Sequence, residues 1–76
     1  MGYSLPVGGE VKLTIYNLLG QRVASIVDQY QEAGNYRAKW NGRSDFGILL
    51  SSGIYFYRLD VDNGRFSETR KMLLLK

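Results

Sequence analysis

Residues 53–76 read GIYFYRLDVDNGRFSETRKMLLLK, and this stretch decides the fold. Two strand-like runs flank Asn63-Gly64, a pair suited to a two-residue type I′ connection because both central positions of that turn need φ > 0. The incoming run alternates, with Tyr55, Tyr57, Leu59 and Val61 on one face and Ile54, Phe56, Arg58 and Asp60 on the other. One face is apolar throughout, while the other turns from apolar to charged. Half-buried strands read this way, and aromatic and β-branched side chains suit their pleated surface. The outgoing run begins polar and ends in Met72-Leu73-Leu74-Leu75, an apolar block where many domains fray into polar residues.

Upstream of Gly53, Ser51-Ser52 break a short apolar strand at Ile48 to Leu50. The turn-rich stretch Asn41 to Gly47 precedes it. Asn35 to Trp40 reads as a strand with Tyr36, Ala38 and Trp40 on one side, and Arg37 and Lys39 on the other. Gln29 to Gly34 is too short to hold as a helix and reads as a loop. Arg22 to Asp28 is a strand with Val23 and either Ile26 or Val27 inward, and its surplus apolar residue points to a β-bulge. Asn17-Leu18-Leu19-Gly20 is a four-residue turn, with Asn favoured at its first position and Gly at its last. Glu10 to Asn17 alternates cleanly, with Val11, Leu13 and Ile15 on one face. Val7-Gly8-Gly9 is a turn, and Tyr3 to Leu5 is a short piece that Pro6 confines to an edge or terminates.

Six to seven short antiparallel strands, with turn signals roughly every 8–12 residues and no helical period, predict an all-β fold, a small immunoglobulin-like β-sandwich. Its expected core is Val11, Leu13, Ile15, Val23, Tyr36, Ala38, Trp40, Tyr55, Leu59 and Val61. A chain of 76 residues is one small domain, of the size that buries only about 60% of its unfolded surface. Met1-Gly2 reads as the start of a module excised from a larger secreted or surface protein. With no cysteine and no histidine, the chain lacks disulfides, thiolate metal sites and the commonest general base. The net charge of +3 comes from Lys and Arg scattered along the chain, which suits a soluble surface better than nucleic-acid binding. No apolar run is long enough to insert in a bilayer, and no signal peptide is visible.

Candidate chemistry is thin. Asp45-Phe46-Gly47 spells a kinase triplet without the phosphate loop or catalytic pair that give it meaning. Asn41, Asp45 and Asp28 are candidate oxygen ligands for calcium, against the simpler reading of Asn41 and Asp45 as turn residues bonding their own backbone. Serine without histidine or cysteine lacks an ordinary activating base, so no catalytic residue, cofactor or metal is expected. Trp40, Tyr55 and Tyr57 suggest a carbohydrate platform, but Trp40 and Tyr55 suit a sandwich core better. Tyr16, Tyr30 and Phe56 remain as an exposed contact surface. Lys71, Lys76, Arg58 and Arg70 either meet an acidic receptor or guard an edge strand from aggregation.

Four segments in order carry a resemblance: VKLTIYNLLGQRV at 11–23, AGNYRAKWNGRSDFG at 33–47, SSGIYFYRLDV at 51–61 and ETRKMLLLK at 68–76. Together they resemble the type A C-terminal sorting domain of type IX secretion substrates, itself similar to the immunoglobulin-like domain of flagellar hook-capping proteins. The motif positions are Gly20, Trp40, Asn41, Gly42, Asp45, Gly47, Gly53, Tyr55, Asn63 and Gly64. The resemblance implies a non-catalytic module that directs a larger cargo to the cell surface by way of a Gram-negative periplasm. It also implies two partners, an outer-membrane translocon and a sortase-like peptidase, with Arg70, Lys71, Met72, Leu73, Leu74, Leu75 and Lys76 as recognition residues. Self-association through an edge strand is a further expectation. The alternatives are a structural immunoglobulin-like domain in a flagellar-hook or surface-filament assembly, and a small carbohydrate-binding module.

Overall fold

Alternation in two strands builds the centre of the molecule. The structure, a computed structural model, describes residues 1–75. It contains β1 (Gly2–Leu5), β2 (Gly9–Tyr16), β3 (Arg22–Gln31), β4 (Gly34–Arg37), β5 (Gly53–Val61) and β6 (Phe66–Leu74). β2 and β5 pair antiparallel in the middle of a four-stranded sheet ordered β3-β2-β5-β6, and β1 pairs antiparallel with β4 in a second, two-stranded sheet. The ladder sets Val11, Leu13 and Ile15 opposite Val61, Leu59 and Tyr57. Val11, Leu13 and Ile15 are fully buried, and each such side chain stabilises the fold by about 1.5–3 kcal/mol. The predicted all-β, immunoglobulin-like sandwich of six strands is what forms.

The small sheet closes over one end of this face. Leu5 is buried against Val11, Leu13, Leu59 and Val61, and Tyr3 and Tyr36 pack beside it. Those two rings, directly opposite in the β1–β4 register, stack at 5.4 Å with 16° between their planes. A second cluster gathers Ile15, Ala24 and Tyr55, with Val23, Trp40, Leu50, Met72 and Leu74 partly buried around it. The expected core residues all join one cluster or the other, with Val23, Tyr36, Ala38 and Trp40 half-buried.

The surplus apolar residue in β3 is accommodated by bulging, as its pattern predicts, but with two bulges instead of one. The β2–β3 register passes from Leu13↔Val27 to Thr14↔Ser25 and from Ile15↔Ala24 to Tyr16↔Arg22, skipping Ile26 and Val23. Each skipped residue is a bulge that leaves an extra apolar side chain near the core, so Ile26 and Val27 both pack inward.

Four segment readings need correction. The stretch 29–34 is a loop only at Glu32-Ala33: β3 continues through Gln29, Tyr30 and Gln31, which pair with Val11, Glu10 and Gly9, and Gly34 opens β4. Here pairing with a well-formed partner overrides weak local propensity. The strand predicted over Asn35–Trp40 is β4, Gly34–Arg37, and Ala38 exchanges hydrogen bonds with Met1 instead (2.8 and 3.0 Å). Ile48–Leu50 is not a strand, since only Leu49 makes a bridge, to Arg43.

The fourth concerns the last hairpin. Its ladder ends at Val61↔Phe66, so four residues connect the strands. Asn63 and Gly64 have φ of 58° and 89°, as in a type I′ turn. Asp62 is also left-handed at 53°, which takes it out of the ladder. Its loss there is offset on β2, where the Asp62 N–H donates to the Glu10 carbonyl (2.8 Å) and Asp62 Oδ1 accepts from the Glu10 N–H (2.9 Å). A carboxylate stands where a continuing strand would present its carbonyl.

Candidate functional site: the free edge and outer face of β6

The two edges of the large sheet are treated differently. The start of β3, at Val23 and Ser25, is covered by the long loop between β4 and β5. Within it, Asn41 Oδ1 accepts from the Arg43 N–H (3.0 Å), the self-bonding turn expected of Asn. Asp45 behaves otherwise. Its N–H donates to the Val23 carbonyl (3.0 Å), its Oδ1 accepts from the Ser25 N–H (2.9 Å), and Arg22 lies 3.4 Å from its other oxygen. One residue thus occupies the bulged edge, satisfying groups that β2 cannot reach. Reading Asp45 as a residue bonding its own turn is corrected accordingly, and its oxygens are spent on β3. Among the described residues, no group of three acidic or histidine side chains converges on a common point.

The same loop is anchored by Trp40. Its indole meets Tyr55 edge-on at 5.2 Å and 71°, and Nε1 donates to the Arg43 carbonyl (2.9 Å). Tyr55 in turn donates its hydroxyl to the Ser51 carbonyl (2.8 Å). Trp40 and Tyr55 thus pack against each other in the second core cluster, Tyr55 buried and Trp40 half-buried. Gly42 is buried at φ 76°, and a Cβ there would lie 3.4 Å from Leu74. Glycine therefore serves both the turn and the close approach to β6. Gly20 donates its N–H to the Asn17 carbonyl (3.0 Å) in the predicted four-residue turn, Gly47 bonds back to the Ser44 carbonyl (2.9 Å), and Gly53 opens β5 opposite Leu74.

Among the described residues, β6 has no such cover. It pairs with β5 alone. The Glu10–Asp62 bonds show that the even-numbered residues of β5 direct their backbone groups toward β2. Alternation along an antiparallel ladder then assigns the odd-numbered ones to β6. Their partners are Phe66, Glu68, Arg70 and Met72, so Ser67, Thr69, Lys71 and Leu73 turn their N–H and C=O groups to the open edge.

The predicted recognition residues divide along this pleat. Met72 and Leu74 are half-buried in the second core cluster and are structural. Lys71, Leu73 and Leu75 are exposed, Leu73 at 61% and Leu75 at 76%. Arg70 lies on the core-side face with Nε 2.7 Å from Glu68 Oε1. The hydrogen bond and charge of Glu68 raise the Arg70 guanidinium further above its ordinary value. Lys76 lies outside the described residues. Of the four cations predicted to face an acidic partner, Arg58 is held at 3.1 Å by both Asp60 and Ser67, whereas Lys71 joins none of the ion pairs found among the described residues.

Of the predicted contact aromatics, Tyr30 is exposed, while Tyr16 and Phe56 are half-buried neighbours across the β2–β5 ladder. With Leu18, Arg58 and Thr69 they line a shallow depression of about 310 Å³ on the outer face. Leu73 continues this apolar surface beside Ile54. Sequence reading did not single out Leu18, Leu19 or Ile54. They are exposed at the end of the sheet where β2 finishes and β5 starts, a juxtaposition that only the ladder register reveals. On the opposite face, a cleft of about 340 Å³ runs between β1 and β6 and includes Tyr3, Tyr57, Glu68 and Arg70. Burial raises the Tyr3 hydroxyl above its ordinary value, the hydrogen bond to Gln31 opposes this, and Tyr36 adds to it.

A family model described as the FlgD Ig-like domain matches residues 6–65, from the end of β1 into the β5–β6 turn. No curated protein and no solved structure matches the chain. The hook-capping side of the sequence resemblance is thereby supported, and the type IX sorting side is not.

Proposed function

The chain belongs to the FlgD Ig-like domain family, and from that membership we propose that it is a non-catalytic structural module of a flagellar-hook or surface-filament assembly. The observation that carries this reading is the family match across residues 6–65, which spans β2 to β5 and the loop that clamps β3. A sheet with one edge capped in part by Asp45 and the other open along β6 suits a domain that stands beside a neighbour in an assembly, because an uncovered edge offers backbone groups for pairing.

The test is an exchange. A flagellar hook-capping protein has its own Ig-like domain replaced by this chain, and hook formation is scored by electron microscopy. Completed hooks are expected. Their absence, with the chimera folded and present at normal abundance, refutes the reading.

Surface sorting is the second reading, and the exposed series Lys71, Leu73 and Leu75 favours it. A translocon that accepts unrelated cargoes must read a shared feature, and strand addition to β6 supplies one. On this reading, Lys71→Glu with Lys76→Glu reduces surface delivery of a fused cargo in a host with type IX secretion, while the thermal melt is nearly unaltered. Unchanged delivery removes the lysines from recognition, and no delivery by the parent domain removes the sorting reading.

A further inference from the structure

The open edge of β6 carries its own complement. The strand runs Phe66-Ser67-Glu68-Thr69-Arg70-Lys71-Met72-Leu73-Leu74. Glu68 and Arg70 flank Thr69 and share the core-side face. In an antiparallel pair of identical strands, a two-fold axis normal to the sheet matches residues whose numbers have a constant even sum. Placing that axis at Glu68, Arg70 or Lys71 sets a charge against its own copy. With the axis at Thr69, Glu68 falls opposite Arg70 twice, and no like charges are opposed.

We propose that two copies of this chain pair antiparallel through β6 with Thr69 on the two-fold axis, forming one continuous eight-stranded sheet. The backbone supports this register. Ser67, Thr69 and Lys71 present their free N–H and C=O groups at the edge, so Thr69 to Thr69 and Ser67 to Lys71 become hydrogen-bonded pairs. Glu68 to Arg70 and Phe66 to Met72 become non-hydrogen-bonded pairs, the kind whose side chains approach most closely.

The side chains support it as well. Glu68 and Arg70 have side-chain exposures of 41% and 60%, so both are free to turn from their bond within the strand toward a partner. Phe66 is 41% exposed and gains cover from Met72. On the outer face, Lys71 of the second copy meets Ser67, which already holds Asp60 at 2.9 Å. Lys71, which joins none of the ion pairs found among the described residues, thereby comes close to a carboxylate. Repulsion between like charges discriminates against the registers centred on Glu68, Arg70 and Lys71, and among the described residues the register at Thr69 sets Glu68 opposite Arg70 twice.

The experiment is sedimentation equilibrium of the 76-residue chain from micromolar to millimolar concentration, with variants at the two charged positions. The parent chain is expected to approach twice its mass of 8.7 kDa. Glu68→Arg and Arg70→Glu each oppose like charges at both pairs and should weaken self-association by roughly tenfold or more. Mixed together, the two variants should form a heterodimer. One copy then carries arginine at both positions and the other glutamate at both, so every opposed pair is of unlike sign. The double variant E68R/R70E should regain the parent's self-association, and circular dichroism melts confirm that all forms are folded. A parent chain that remains at 8.7 kDa at millimolar concentration overturns the proposal. So does a mixture of folded variants that yields no heterodimer, or a Glu68→Arg chain that dimerises as tightly as the parent.

Discussion

Replacing Trp40 by alanine removes the anchor of the loop that covers the start of β3, and its cost follows from three observed features. The indole is partly buried in the second core cluster, meets Tyr55 edge-on at 5.2 Å, and donates a 2.9 Å hydrogen bond to the Arg43 carbonyl. A fully buried Trp→Ala change costs about 3–5 kcal/mol, and partial exposure reduces that. The edge contact accounts for about 0.5–1.5 kcal/mol, and the hydrogen bond for about 1 kcal/mol because water can reach Arg43. A loss of about 2–4 kcal/mol is expected, a large share of what a small domain possesses. Urea unfolding followed by far-ultraviolet circular dichroism measures it. With a slope of about 1 kcal/mol per molar urea, the midpoint falls by about 2–4 M. Trp40→Phe keeps a ring against Tyr55 and should recover more than half of the loss. A Trp40→Ala chain within about 1 kcal/mol of the parent refutes the reasoning and makes the indole a surface group.

Asp45→Ala should destabilise the domain by about 1 kcal/mol through the Ser25 N–H it leaves without its acceptor. Asp45→Asn, which keeps an acceptor and loses only the exposed pairing with Arg22, should cost less than about 0.5 kcal/mol in the same assay. Gly64→Val places a β-branched residue at φ 89°, costing roughly 1–2 kcal/mol, and an unchanged melting temperature contradicts the turn geometry. Tyr3 supplies a pH test. Its folded pKa is raised above 10.0 by burial, so the folded chain retains a proton that the unfolded chain has released. That contribution is complete below pH 10 and is lost as pH rises through the folded value. Tyr3→Phe should therefore show a shallower fall in stability above pH 10 than the parent.

Much of this architecture is legible because its central strands obey simple periodicity. Val11, Leu13 and Ile15 alternate with polar residues, as do Leu59 and Val61, and all of them are buried. That β3 bulges is equally legible, since Val23, Ile26 and Val27 cannot all alternate. What escapes local reading is decided by partners distant in sequence. Gln29 to Gln31 carry no strong strand pattern, yet they extend β3 because Gly9 to Val11 present a ladder to them. Asp62 lies outside the β5–β6 ladder, and its N–H and carboxylate bond Glu10 on β2. Asp45 looks like any turn aspartate until the bulged edge of β3 is brought beside it. For the candidate site, the charge of the C-terminal run is visible in sequence, but its division into core-anchoring Met72 and Leu74 and exposed Lys71 and Leu73 depends on the β5–β6 register.

β6 completes the sheet on one side and leaves its other edge open for a neighbour. Amide hydrogen exchange resolved by residue, at concentrations where the chain is monomeric, tests it most directly. Protection should alternate, with the Glu68, Arg70 and Met72 amides slow and the Ser67, Thr69, Lys71 and Leu73 amides fast. Uniform fast exchange along 66–74 would show that β6 does not pair with β5. Uniform protection in the monomer would show that the edge is already covered, and either result contradicts the account.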